Sequence, residues 1–232
     1  MRAAFNVRVL IERLSGKPIF ATGYYRESQL TRLLNLFGQV DLERWRNLKI
    51  LEVGAGLGDL GAAFTQLGFD VTSTDGRAEH VEAMRARGRQ TFVLDLDSTG
   101  VDEVGDFGLI LAFGVLYHLA RPEDFIRSCG KRAEVLLLET AVCDRNDPVV
   151  LWVDEPGGWR GKDQALGQRG CRPSPSWVEG ACRDAGFASV RDISSSLGNW
   201  RVGSFDWTPE DTGEWRRDGV NLRKMWVCER GS

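Results

Sequence analysis

Hydrophobic positions along the chain fall into short apolar runs separated by stretches of helical spacing. Runs at Lys49–Val53, Thr91–Leu94, Phe107–Phe113 and Glu134–Ala141, with the stretch Asp70–Thr74 rich in β-branched residues, predict five strands. The run into Phe113 is almost unbroken, as in a strand covered on both faces. Between them, Leu60–Leu67, Ala78–Arg87 and Pro122–Cys129 predict helices, with Gly68 and Gly88 as stops and Pro122 at a first turn. Upstream, Phe5, Val9, Leu10 and Leu14 mark an amphipathic helix over residues 2–14, which Ser15–Pro18 breaks. Residues 22–28 form a predicted loop into a second helix, Ser28–Phe37. Downstream the periodicity fades. Residues 142–175, rich in Gly and Pro, carry no element pattern; a helix (Pro175–Ala185), a strand (Ser189–Ile193), a tryptophan-rich segment (199–217) and a last strand (Lys224–Cys228) follow. Strands alternating with helices predict an α/β fold with a doubly wound, mostly parallel sheet and a ligand at the carboxyl ends of its strands.

Composition narrows this picture. At 232 residues the chain suffices for one domain. It divides into an N-terminal helical segment (1–47), a core (48–141), an insertion (142–175) and a C-terminal part of the sheet (176–232). Seven of eight tryptophans lie beyond residue 150, which argues that the insertion is an ordered cap over the site and not a disordered tract. A net charge of −3 gives no electrostatic case for nucleic acid or an anionic membrane. No apolar run is long enough for a membrane span, and residues 1–14 lack the apolar stretch of a signal peptide. Five scattered cysteines without a C-x-x-C pair point to free thiols, a cytoplasmic setting and no zinc site.

The chemistry centres on Leu51-Glu52-Val53-Gly54-Ala55-Gly56-Leu57-Gly58-Asp59-Leu60-Gly61. A strand, a glycine-rich turn and a helix make a nucleotide-binding corner, in which glycine lets the backbone approach a ligand. Gly54, Ala55 and Gly56 are the candidate contacts; Gly58 and Gly61 suit the turn and helix packing. The glycine spacing alone also fits NAD enzymes. Asp75 stands 21 positions after Gly54, at the end of the second strand, with Gly76 beside it. That is the place of an acid accepting from ribose hydroxyls.

The E-x-G-x-G-x-G pattern that Glu52 opens resembles motif I of the class I S-adenosylmethionine-dependent methyltransferases, and later segments resemble the same family in order, over about Leu48 to Thr140. The resemblance implies a seven-stranded sheet with its last strand antiparallel, S-adenosylmethionine as cofactor, and N-terminal helices across the pocket, so that Tyr24, Tyr25 or Arg26 helps close it or packs at the surface. It implies a role for Glu52 at the methionine end of the cofactor; a buried structural carboxylate bonded to backbone N–H groups is the alternative. It also implies that Asp95, with the Leu96 N–H, meets the adenine, Asp97 being the rival. Phe113 and Gly114-Val115-Leu116-Tyr117-His118-Leu119 fall where the chain passes the transferable methyl.

Methyl transfer to a hydroxyl needs alignment and removal of a proton. His118 is the candidate base, with Tyr117 beside it; a structural histidine under the pocket is the alternative. His80 belongs to a predicted surface helix. Arg172 can fork onto a carboxylate or phosphate, and Trp152, Trp159, Trp200 and Trp207 can wall an acceptor or form a small core. Asp144 and Asp147 are weak metal candidates, and no metal is assigned. The expected function is methylation, at oxygen, of a small-molecule or glycan-like acceptor by a monomer or homodimer. The rivals are a tRNA or RNA base-modifying enzyme and a binding module without catalysis.

Overall fold

A computed structural model describes residues 23–105, 107–155 and 165–231. The amphipathic helix expected over residues 2–14 lies outside them. Helix α1 (Gly23–Gln39) leads through a short 3-10 turn, Leu42–Trp45, into the α/β core. The core runs β1 (Ile50–Glu52), α2 (Asp59–Gln66), β2 (Val71–Asp75), α3 (Ala78–Arg85), β3 (Gln90–Val93), β4 (Leu109–Phe113), α4 (Pro122–Arg132) and β5 (Val135–Ala141). Strands β6 (Val150–Asp154) and β7 (Arg169–Pro173) follow, then α5 (Pro175–Asp184), β8 (Phe187–Asp192), β9 (Gly203–Ser204), β10 (Arg216–Arg217) and β11 (Val220–Arg230).

The seven main strands lie in the order β3-β2-β1-β4-β5-β11-β8, and the two-residue strands β9 and β10 also pair with β11. Strands β1 to β5 are parallel, and β11 runs antiparallel between β5 and β8. The sheet is therefore doubly wound and mostly parallel, as the alternating elements require.

Side-chain alternation sorts the core into two layers. Leu109, Leu111 and Phe113 of β4, with Val135 and Leu137 of β5 and Met225 and Val227 of β11, pack on the face that carries α1 and α2. Ile110, Ala112, Leu136, Leu138, Trp226 and Cys228 pack on the other, against Phe125, Ile126 and Cys129 of α4 and Val178 and Cys182 of α5. Glu139 and Arg223 continue the first series, so two charged residues stand on the α1 face of the sheet.

Three expectations change. Helix α1 starts at Gly23, so Tyr24, Tyr25 and Arg26 belong to its first turns and not to a loop. The insertion is not structureless: β6 and β7 form an antiparallel ribbon with Trp152 opposite Cys171. Sequence periodicity does not reveal the ribbon, because its strands alternate weakly and carry Gly170 and Pro173. His80 is buried, not on the surface.

The turn after β1 is held from below. Glu52 is 2% exposed; one carboxylate oxygen accepts from the Gly61 N–H of α2 (3.0 Å) and the other from the Ser73 hydroxyl of β2 (2.6 Å). A Cβ on Gly61 would stand 2.3 Å from that carboxylate, so only glycine fits where α2 passes over it. Burial raises the Glu52 pKa from 4.5 to about 7, against the two hydrogen bonds.

Two predictions arise from this packing. A Cβ at Gly130 of α4 would lie 2.0 Å from the carbonyl oxygen of Ala185. Gly130→Ala should therefore cost roughly 1–3 kcal/mol, read from urea unfolding; an unmoved midpoint would contradict the close α4–α5 contact. Because the folded Glu52 holds its proton more tightly than the unfolded one, the native state binds the extra proton. Its contribution is complete below pH 4.5 and is lost as pH rises towards about 7. The loss relative to Glu52→Gln should reach about 3 kcal/mol, and parallel stability profiles for parent and variant would refute it.

Candidate functional site

A cavity opens at the carboxyl ends of the parallel strands. Glu52, Gly54, Ala55, Gly56, Asp75, Gly76, Asp95, Leu96, Phe113, Tyr117, His118 and Trp200 all line it. Residues far apart in the chain thus converge on one space, at the end of the sheet where the topology predicts it.

On the side of β1 to β3, Gly54 and Gly56 adopt φ of +60° and +58°. In this left-handed region glycine carries no steric penalty. The Gly56 N–H donates to Asp75 Oδ2 (2.8 Å), and Asp75 Oδ1 accepts from the Arg77 N–H (2.9 Å). His80 Nδ1 lies 3.1 Å from the same Oδ1, and His80 also lines the cavity. Asp75 is thereby fixed at the mouth of the glycine loop. Asp95 Oδ1 accepts from the Asp97 N–H (3.0 Å). Asp97 itself accepts the N–H groups of Ala120 (2.9 Å) and Arg121 (3.0 Å), tying down the loop before α4. Of the two acids, Asp97 is committed to the loop. Glu52 has the geometry of the structural alternative, with both oxygens bonded inward, although it still borders the cavity.

On the side of β4, β5 and β11, His118 closes a 3-10 turn, Leu116–His118. Its Nδ1 lies 2.6 Å from Glu155 Oε2 at the end of β6. Glu155 also accepts from the Ala165 N–H (3.0 Å) and from Arg172 Nη2 (3.1 Å). Burial lowers the His118 pKa; the Glu155 hydrogen bond and charge oppose that shift without cancelling it. Burial pushes the Glu155 pKa up, but His118 and its other partners hold it below the usual carboxylate range.

Arg172 is not in the cavity wall. It donates to the carbonyls of Tyr117 (3.2 Å) and Cys171 (2.8 Å) as well as to Glu155, so it braces the His118 turn from behind. Trp152 is half exposed on the ribbon under the Arg169 guanidinium, away from the cavity. Trp159 lies outside the described residues, and Trp207 donates from Nε1 to the Arg223 carbonyl (3.1 Å). Of the three described tryptophans, only Trp200 borders the cavity, packed on Phe205. Tyr25 is fixed only as a position in the first turn of α1. Asp144 accepts from Thr212, from the Glu210 N–H and from Arg217, so it anchors the 208–217 segment. All five cysteines are free and buried.

Four contributors were missed from sequence. His80 was set aside as a surface residue, Glu155 lay in a stretch without pattern, and Arg32 and Arg223 were absorbed into a helix and a strand. The available signal was Glu139, an acid inside the otherwise apolar run of β5, which demands a buried cationic partner.

Comparison with known proteins agrees with this geometry. Residues 22–191 match the methyltransferase domain family. A ubiquinone biosynthesis O-methyltransferase of Caulobacter sp. (strain K31) is 25% identical over 93 residues; the match spans 38% of this chain and 37% of that relative. The N-terminal domain of EvdMO1, solved in the presence of S-adenosylhomocysteine and D-fucose, superposes with a TM-score of 0.67 at 15% identity, covering 97% of both chains. The glycopeptide N-methyltransferase MtfA, complexed with sinefungin, gives 0.54 at 17% identity over 88% of this chain and 94% of its own. These two likenesses show the fold. The family match, covering well over half the chain and including the glycine loop, shows membership: this chain belongs to the methyltransferase domain family, of the class I S-adenosylmethionine-dependent kind.

Proposed function

We propose that the protein transfers a methyl group from S-adenosylmethionine to a hydroxyl of a small-molecule or sugar-like acceptor, with His118 as general base. The carrying observation is the 2.6 Å contact that His118 Nδ1, in the cavity wall, makes with Glu155 behind it. The relatives support the acceptor class by their names alone: one is called an O-methyltransferase and another was solved with a sugar present.

The residues fit the cofactor. The glycine loop exposes backbone to the cavity, and Asp75 and Asp95 put carboxylates beside it for ribose hydroxyls and for the adenine side. Gly76, Leu96 and Phe113 complete the apolar and backbone surface there. Glu52 acts one layer below, holding α2 and β2 to the loop. When bound, S-adenosylmethionine supplies a methyl carbon activated by a positive sulfur.

With Nδ1–H donated to Glu155, Nε2 is the basic nitrogen of a neutral imidazole. It accepts the acceptor's hydroxyl proton as the oxygen attacks. Glu155 stabilises the imidazolium that results, and Arg172 and the Ala165 N–H keep Glu155 ionised and in place. The Tyr117 ring lies tilted against the His118 ring, with centroids 4.0 Å apart, and limits its rotation.

Calorimetric titration with S-adenosylhomocysteine tests the cofactor assignment. Asp75→Ala should weaken binding by roughly 1–3 kcal/mol, the range for a lost charged hydrogen bond; unaltered affinity removes Asp75 from the site. On a competent acceptor, His118→Ala should lower kcat by about 10²–10⁴-fold, and an unchanged rate sinks the base assignment. Because the neutral ring is the active form and its pKa is lowered, the acid limb of kcat should lie below pH 6.5. Glu155→Gln removes a carboxylate that raises that pKa, so the limb should move lower still, and a shift to higher pH would contradict the pairing.

A further inference from the structure

Beyond the glycine loop and His118, the cavity contains a charged group with no part in that mechanism. Glu139 is fully buried at the carboxyl end of β5. Arg32 of α1 reaches it with Nε at 2.9 Å from Oε2, and Arg223 of β11 contacts Oε1 through its own Nε. Both arginines are more than nine-tenths buried, and both line the cavity. Burial raises the Glu139 pKa, but Arg223 and Arg32 outweigh it and hold the carboxyl below its usual range, so it is ionised.

Two guanidiniums against one carboxylate leave a net charge of +1. The Arg223 Nη2 is buried without a hydrogen-bond partner among the described residues. An uncompensated buried cation is costly, and a fold that keeps one in a cavity wall gains when an anion completes it.

The group is built and held. Asn35, one turn along α1 from Arg32, donates to the Ile193 carbonyl (2.9 Å) and accepts from the Ser195 hydroxyl (2.7 Å), fixing that helix. Gly114 has no side chain where a Cβ would come 2.9 Å from Arg32 Nη2. The Arg223 guanidinium lies 5.4 Å from the Trp200 ring centroid and 4.9 Å from that of Tyr117. Arg223 also stands close enough to His118 for its charge to help lower that pKa. The cluster therefore lies beside β4, β5 and β11, with Arg223 near the candidate base and Arg32 over Gly114, whose neighbour Val115 adjoins Gly54 of the glycine loop.

We propose that Arg32 and Arg223 form a carboxylate subsite, and that the methyl acceptor is a hydroxy acid whose carboxylate docks there. A single negative charge matches the net +1 of the cluster, whereas a phosphate dianion would leave an excess. The planar fork of Arg223 suits a carboxylate. This inference rests on the methyltransferase reading above and names its substrate class.

Matched probes test it: 4-hydroxybenzoate against 4-hydroxybenzamide, and D-glucuronate against D-glucuronamide. Each is titrated into protein saturated with S-adenosylhomocysteine. In at least one pair the acid should bind tighter than the amide, on the order of tenfold. Arg223→Gln should abolish that preference while S-adenosylhomocysteine still binds as in the parent. Should Arg223→Gln fail to fold, Glu139→Gln, which keeps both arginines and removes their counter-charge, should increase the preference. Equal binding of acid and amide, or no binding of either acid, would overturn the subsite. So would an Arg223→Gln protein that keeps the preference, or one that instead loses S-adenosylhomocysteine affinity, since the cluster would then serve the cofactor's own carboxylate. Failure of the parent to bind S-adenosylhomocysteine at all would count against the methyltransferase reading itself.

Discussion

The glycine loop depends on one buried carboxylate. Glu52 ends β1, and its two oxygens hold the first turn of α2 and the middle of β2 at fixed distances from each other. Without that pair of bonds the loop between Glu52 and Gly61 would be an unsupported run of glycines. With them, Gly56 can present its N–H to Asp75, and Asp75 can stand at the cavity mouth. The polar bond and the missing side chain at Gly61 form one device, because the carboxylate occupies the space a Cβ would need. A residue bonded inward in this way shapes a binding surface mainly by deciding where other atoms go.

The opposite side of the cavity is organised by charge. Glu139 and Arg223 interrupt two apolar series on the same face of the sheet, and Arg32 meets them from α1. Farther out, Glu155 collects His118, Arg172 and the Ala165 N–H. Each carboxylate is shared between two cationic or potentially cationic groups. Burial in both places makes the partners strongly interdependent, since removing one leaves the other's charge in a poor solvent.

Much of this was legible in the sequence, for physical reasons. Buried parallel strands read as apolar runs, which places β1, β4 and β5 within a residue or two, and β-branched residues place β2 as closely. The glycine loop and Asp75 follow from backbone geometry and fixed spacing, and the structure brings them to one cavity. The ribbon was invisible because short strands carrying Gly170 and Pro173 have little periodicity. His80 shows another gap: helical spacing assigns a face, but not what lies under it, and this face lies over Asp75. Arg172 and Trp152 looked like ligand-binding residues because of their chemistry; their contacts place one behind the His118 turn and the other on the outer surface of the ribbon. Residue type announces what a side chain can do, while long-range pairing decides where it does it.

Glu155 sits at the tip of β6, within a segment that interrupts the α/β pattern. The segment is therefore not a detachable accessory laid over a complete core. Half of the His118–Glu155 pair arrives with it. Exchanging this ribbon between relatives would exchange the partner of the His118 imidazole at the same time, so the ribbon and the His118 turn form one unit in this architecture.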